Sequence, residues 1–347
     1  MSSPFFENQF KRLAFHKHIE RVQKLPVVPQ LALLAIVLLA LFAGTITPKL
    51  FALINHPDTA AAAISLTKLG SSTATTVGIQ ADAFNGANII AKAAYVFDVR
   101  DQKALFKKNE SEQLPLASVT KIMTALIAQE VLEEKQPVTI SEQAVKQDGD
   151  SGLLAGERFK RQALSDFSLM SSSNDGAYAL AVAAGNALVP QSGAAGFVNA
   201  MNVRAQELGL TQTYYKNPTG LDLSTSEAGA YGSAHDMAFL MEYILKNQPG
   251  ILAYTTENDA RVYSEDGKYH DAENTDYYVD KIPGLIGSKT GYTDLAGGNL
   301  IVAFNVGLNH PVIAVVLGST VQGRFTDILE LVKDTQRYYG ETAITQS

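Results

Sequence analysis

LPLASVTKIMTALIA, Leu114 to Ala128, sets a serine three places before a lysine and follows the pair with an apolar run. On a helix, residues three apart share a face, so the Lys121 ammonium can reach the Ser118 hydroxyl. The run IMTALIA is apolar nearly all round, as expected of a helix at the centre of a domain. A lysine at the buried start of such a helix loses hydration, its pKa falls, and it becomes the base that a serine nucleophile needs. A helix N-terminus also offers backbone N–H groups and a favourable dipole to a developing oxyanion. Spacing alone decides little. A capping serine with an outward-turned lysine reads the same, and SLTK, Ser65 to Lys68, repeats the pattern. No long apolar helix follows Lys68, so the earlier copy reads as incidental.

The 347-residue chain can bury a large core, and its formal charge of −7 argues against a general nucleic-acid binder. Its lack of cysteine excludes disulfides, thiol nucleophiles and cysteine-ligated metals. Charge is uneven: six basic and two acidic side chains give residues 1–54 a charge of +4, leaving −11 on the remainder. Within that basic region lies LALLAIVLLALFAG, Leu31 to Gly44, extended by Val27, Val28 and Ile46. From Val27 to Ile46 it approaches the ~20 residues of a bilayer-crossing helix. Five basic residues precede it, which places the N-terminus in the cytoplasm and the rest outside. The long basic flank and the apolar continuation to Ile54 favour an anchor over a cleaved signal peptide or a core helix, although the alanines at 60–63 leave cleavage open. The expected organisation is a cytoplasmic tail over 1–26, an anchor over 27–54, a flexible Ala/Ser/Thr/Gly spacer over 55–88 and a folded domain over 89–343.

Within that domain, AAYVFDV and ALFKK flank the turn RDQK and predict a β-hairpin. Helical periodicity follows at 122–132, 164–184, 196–208 and 234–245. Strand character returns in GLIGSKTGY, NLIVAFNV and PVIAVVLGS, and a last helix spans 324–339. Strands at both ends with helices between them predict an α+β domain whose sheet joins distant parts of the chain.

Two further stretches bear on the Ser118–Lys121 pair. LMSSSNDGAYALA offers Ser172 and Asn174 just before an Ala-rich helix, which alone would be a capping cluster. LIGSKTGYTDLAGGNL ends an apolar strand in Lys289, Thr290 and Gly291. There a cation and a hydroxyl can hold a carboxylate, while glycine lets a ligand lie along the strand edge. Taken in order, Ser-x-x-Lys, Ser-x-Asn and Lys-Thr-Gly form the signature of penicillin-binding proteins and β-lactamases.

The chain closely resembles the serine-type D-alanyl-D-alanine carboxypeptidases, the low-molecular-mass penicillin-binding proteins, from Ala93 to Thr320. The likeness includes GLLAGERF before the second motif, NPTGLD at 217–222 and KTGYTDLAG at 289–297. It implies a β-lactamase/transpeptidase-like fold, a central antiparallel sheet of about five strands flanked by helices with an inserted all-helical subdomain. It implies Ser118 as nucleophile, Lys121 as general base, and Ser172 as proton relay to the leaving D-alanine. Asn174 would bind a substrate amide, Lys289 and Thr290 the terminal carboxylate, and Gly291 would leave room for the substrate. The N–H groups of Ser118 and Tyr292 would form the oxyanion hole. The implied partners are peptidoglycan stem peptides ending in D-Ala-D-Ala and β-lactam antibiotics as covalent inhibitors, with no cofactor. Ser173 stands where relatives commonly carry glycine, and Asn299 where they often carry cysteine. An endopeptidase of the same family, or a penicillin-recognising sensor, remains an alternative.

GDSG at 149–152 matches the nucleophile segment of trypsin-like proteases, but the only upstream histidines are His16, His18 and His56. GSKTG at 287–291 lacks the Gly-Lys of a phosphate loop. His235, His270 and His310 have no ligand spacing, so no metal is expected.

Overall fold

Two distant parts of the chain meet in one sheet. The computed structural model describes residues 83–346; the apolar run at 27–54 and the Ser65–Lys68 pair lie outside them. The N-terminal hairpin supplies β1 (Ala93–Asp98) and β2 (Lys103–Lys108). The C-terminal meander supplies β3 (Leu285–Thr293), β4 (Gly297–Asn305) and β5 (Pro311–Ser319). All neighbours are antiparallel in the order β3-β4-β5-β1-β2. β1 is buried along its whole length and pairs with β5 from Ala93↔Leu317 to Asp98↔Val312. Its continuous apolar run suits a central strand covered on both faces. β2 closes one edge and carries Lys103, Lys107 and Lys108, which discourage pairing with another chain.

One face of the sheet packs against helix α6, Gly323–Gln346, which is numbered last in chain order. Phe325, Ile328, Leu331 and Val332 of that helix meet Val96, Val302, Phe304 and Ala314 in the core. Each of these side chains larger than alanine contributes roughly 1.5–3 kcal/mol on leaving water. Ala83 is buried, and the N–H groups of Ile90 and Ala91 each bond Asp327 at 2.8 Å. The Asn88 N–H reaches Glu330, so the segment entering β1 lies on the same helix.

The chain between β2 and β3 covers the other face. It contains α1 (Lys121–Val131), α2 (Arg161–Met170), α3 (Asn174–Leu188), α4 (Gly193–Glu207) and α5 (Ala234–Asn247). α5 stands on β1 and β5, with the Phe239 ring 5.2 Å from that of Phe97. α1 is buried from Lys121 to Ala128 among α2, α3 and α4, which explains its nearly uniform apolar sequence.

Two sequence expectations need correction. The periodic stretch 164–184 is two helices, not one. Ser172 has φ +61, a left-handed value that no continuous helix contains, while the Ser173 hydroxyl accepts the Gly176 N–H and starts α3 afresh. The insert is also not wholly helical. It includes the small sheets 114–115/230–232/214–215, 137–139/158–160 and 259–263/269–273. The strands DARVY and YHDAE went unread because their outward residues are charged or tyrosine, leaving little apolar alternation. Among the described residues no helix is long and apolar enough to cross a membrane.

Gly185 of α3 lies against the start of α4, where an added Cβ would fall 1.9 Å from the Gly193 carbonyl oxygen. Gly185→Ala should force the two helices apart and lower the melting temperature by about 5 °C or more, read by circular dichroism. An unchanged melting temperature would show that this contact does not constrain the bundle.

Candidate active site

Ser118 is delivered by a constrained approach. Leu114–Pro115 pairs with Ala230–Gly232, and the Leu116 N–H bonds the Ala230 carbonyl at 3.0 Å. Ala117–Thr120 then forms a 3₁₀ turn, and α1 begins at Lys121. Ser118 therefore sits in the turn before the helix, not in its first turn. Ala117 has φ +48, which is strained for a residue with a Cβ. Asn299 on β4 clamps the approach, donating Nδ2 to the carbonyls of Pro115 and Leu116 and accepting the Gly318 N–H. Gly220 presses on the turn from below, where a Cβ would fall 1.9 Å from the Ala117 carbonyl oxygen.

Lys121 is 1% exposed. Its Nζ donates to Ser118 Oγ at 2.7 Å, Asn174 Oδ1 at 2.7 Å and the Thr219 carbonyl at 2.9 Å. Three acceptors suit an ammonium, yet burial, followed by the charge of Lys289, holds its pKa well below the usual lysine value. As a neutral amine it keeps two of those bonds and turns a lone pair toward the Ser118 hydroxyl.

The second cluster lies on β3, an edge strand. Lys289 Nζ donates to Ser172 Oγ at 3.0 Å and to the Thr290 carbonyl at 2.9 Å. Burial, followed by the Arg324 charge, pushes its pKa down to about 7, against the opposing pull of Asp276. Thr290 Oγ1 is 2.6 Å from Thr275 Oγ1. Gly291 lets β3 approach the serine turn, since a Cβ there would lie 2.9 Å from Leu116 O and 3.2 Å from Ser118 N. The Ser288 N–H leaves the sheet for Thr255 Oγ1 at 3.0 Å. Strand alternation then aims the Tyr292 N–H at the same outer edge, while its side chain is half-exposed.

All the predicted site residues, Ser118, Lys121, Ser172, Asn174, Lys289, Thr290, Gly291 and Tyr292, thus belong to the serine turn, the head of α3 and the edge strand. Sequence reasoning missed Arg324 at the start of α6. It is nearly buried, donates Nη1 to the Gly291 carbonyl at 2.8 Å, and its Nε has no hydrogen-bond partner among the described residues. No local motif marks it. It also gave Thr219 and Asn217 no role, although NPTG was visible. Asn217 Oδ1 accepts the Thr219 and Gly220 N–H groups and so shapes the turn that presents the Thr219 carbonyl to Lys121. The three described histidines lie apart, stacked on Phe239 or bonded to Glu157 and Asp98. Asp98, Asp101 and His310 are close enough together for a metal, but Asp98 already accepts from His310, Tyr339 and two backbone N–H groups, which ties α6 to β1.

A sheet whose edge lysine faces a serine–lysine pair across a helical insert defines the penicillin-recognising class of serine peptidases. A family model described as D-alanyl-D-alanine carboxypeptidase matches residues 78–321, and the chain belongs to that family. D-alanyl-D-alanine carboxypeptidase DacF of Bacillus subtilis is 34% identical over 236 residues, 66% of this chain and 58% of that protein, so the match spans less than two thirds of the relative's length. The D-alanyl-D-alanine endopeptidase of Pseudomonas aeruginosa is 29% identical over 246 residues, covering 70% of this chain and 74% of that one. Among solved structures, ampicillin-bound Penicillin-Binding Protein D2 of Listeria monocytogenes superposes with a TM-score of 0.58 at 26% identity, over 71% of this chain and 98% of its own. The D-alanyl-D-alanine carboxypeptidase of Mycobacterium tuberculosis shares the fold, with a TM-score of 0.63 at 24% identity over 72% and 91% of the two chains.

The buried lysines have a consequence for stability. Lys289 titrates at about 7 in the folded protein and near 10.4 when unfolded, so between these values the unfolded chain binds more protons. Its contribution is fully present above the unfolded value and is lost as pH falls through the folded one. Melting temperature should therefore rise from pH 7 to pH 10 more steeply in the wild type than in Lys289→Met; equal slopes would contradict a depressed Lys289.

Proposed function

We propose that the protein is a serine DD-carboxypeptidase that removes the terminal D-alanine from peptidoglycan stem peptides through an acyl-enzyme. The observation that carries this reading is the 2.7 Å contact between Ser118 Oγ and a buried, pKa-depressed Lys121, set beside an edge strand that bears Lys289. A peptide ending in D-Ala-D-Ala lies along the outer edge of β3 as a short extra strand. Its carboxylate meets Lys289, the Thr290 hydroxyl and the Arg324 guanidinium, and its scissile carbonyl oxygen points at the N–H groups of Ser118 and Tyr292. Asn174 donates to an amide of the peptide.

Lys121 takes the Ser118 proton as Oγ bonds to the carbonyl carbon. The oxyanion gathers the two N–H groups, each worth roughly 2.7–4 kcal/mol of barrier lowering in sites of this kind. Ser172, bonded to Lys289, passes its proton to the leaving nitrogen and is reprotonated by the Lys121 ammonium. The C–N bond breaks, free D-alanine departs, the acyl group stays on Ser118 and Lys121 is again a neutral base. Water, deprotonated by the same base, then hydrolyses the ester and returns the proton to Ser118. A β-lactam mimics the peptide end, and its opened ring remains tethered as the acyl-enzyme. Ser118→Ala should abolish covalent labelling by a fluorescent penicillin, a loss on the order of 10⁴-fold or more. Incubation with a stem pentapeptide and with cross-linked muropeptides tests the substrate. Released D-alanine supports the carboxypeptidase, cleaved dimers point to an endopeptidase, and acylation without turnover points to a sensor.

The apolar run over 27–54 is proposed as a single-pass anchor, with 1–26 in the cytoplasm and the catalytic domain outside, carried on the spacer that follows. The support is its length and its basic N-terminal flank. A chain starting at residue 55 should leave the membrane fraction and keep its penicillin labelling. A truncated chain that still sediments with membranes would count against a single N-terminal anchor.

A further inference from the structure

The segment 148–152, Asp-Gly-Asp-Ser-Gly, contains the protease-like tetrapeptide that has no place in the mechanism above. It has no regular secondary structure, yet it closes on the turn that carries Ser172 and Asn174. Asn174 Nδ2 donates to the Asp148 carbonyl at 2.6 Å, while Oδ1 of the same amide accepts from Lys121 Nζ at 2.7 Å. The two ends of an amide differ, so the Asp148 carbonyl fixes which end meets the lysine. Reversed, the amide would set its NH₂ against the ammonium and its oxygen against a carbonyl. Gly149 follows closely enough that a Cβ there would lie 3.3 Å from Asn174 Nδ2.

Ser151 fastens this loop. Its Oγ is 2.6 Å from Ser173 Oγ and 2.8 Å from Asp175 Oδ2, and its N–H also points to Asp175. An ionised carboxylate only accepts, which orders the protons: Ser173 donates to Ser151, and Ser151 donates to Asp175. Ser173 Oγ meanwhile accepts the Gly176 N–H at the head of α3. Ser173 and Asp175 are both nearly fully buried, and they flank Asn174 on either side in sequence. The charges in the neighbourhood are few. Lys121 faces Lys289 from β3, with the neutral Ser118 hydroxyl, Asn174 from α3 and the Thr219 carbonyl as its hydrogen-bond partners. Asp175 faces Asp150 from the loop.

We infer that Ser151 is a positioning residue for the reaction: tied to Ser173 and Asp175, it holds the 148–152 loop so that the Asp148 carbonyl orients Asn174 and completes the acceptor set of Lys121. This rests on Lys121 being the base, as proposed above. Ser173, where relatives commonly carry glycine, is part of the tie.

The test uses the full chain in detergent, with fluorescent-penicillin acylation followed across pH in the wild type, Ser151→Ala and Ser151→Thr. Ser151→Ala should acylate roughly tenfold more slowly. A weakened acceptor disfavours the ammonium, so the acid limb of its profile should move to lower pH by about half a unit. Ser151→Thr, which keeps the hydroxyl, should restore both the rate and the profile. Wild-type behaviour in Ser151→Ala overturns the inference. So does a loss that threonine does not restore, or one that follows the melting temperature with the profile unmoved. A wild type that takes no label overturns the assignment of function, and this inference with it.

Discussion

Two lysines of like charge share one water-poor cleft, and most of the structure serves that constraint. Each would be costly to bury as an unpaired ion. Lys121 has three acceptors, Lys289 has two, and the opposing charge of Asp276 acts on both Lys289 and Arg324. What remains of the cost appears as depressed pKa values, and a depressed lysine is what the serine requires. The same burial that makes the cleft expensive to fold lowers the Lys121 pKa, as the proposed role of a base requires.

Bringing the lysines together requires the sheet to close over a long span of sequence. α1 carries Lys121 shortly after β2, whereas Lys289 arrives on β3 near the other end of the chain. The β1–β5 ladder joins the hairpin to the meander, and α5 and α1 then pack where the serine turn can touch Gly291. Two residues with side chains, Ala117 and Ser172, take left-handed φ values beside the reacting groups. Such conformations cost about 1–3 kcal/mol each and persist only where neighbours over-determine them. Asn299 and Gly220 do so for Ala117. Ser173, capping α3, does so for Ser172.

The three short motifs and the sheet strands are legible because each has a local signature: fixed spacing, or an apolar run bounded by turns. The α2–α3 break was written in SSSN but hidden by periodicity that continues on both sides of it. Asn299 shows no local sign of its role, because its effect depends on Pro115 and Leu116, which are far from it in sequence. Arg324 stood in view as an ordinary residue at a helix start. Its importance comes only from where α6 crosses the end of β3. GDSG lacks an upstream histidine within its domain, and its real contacts are not legible, because a loop without periodicity says nothing about what it touches.

The outer edge of β3 also sets what else the molecule can bind. An unpaired strand edge is an invitation to any extended chain, including another copy of the protein. Here Thr255 occupies the edge at Ser288, taking its N–H and bonding its hydroxyl, and the strand ends at Thr293. The free length therefore starts near Thr290 and spans only a few residues, shorter than the five or six of a typical strand. That is too short to template fibril-like stacking, but long enough to grip the last units of a peptide. The short free edge thus admits a brief extended segment and excludes a long strand.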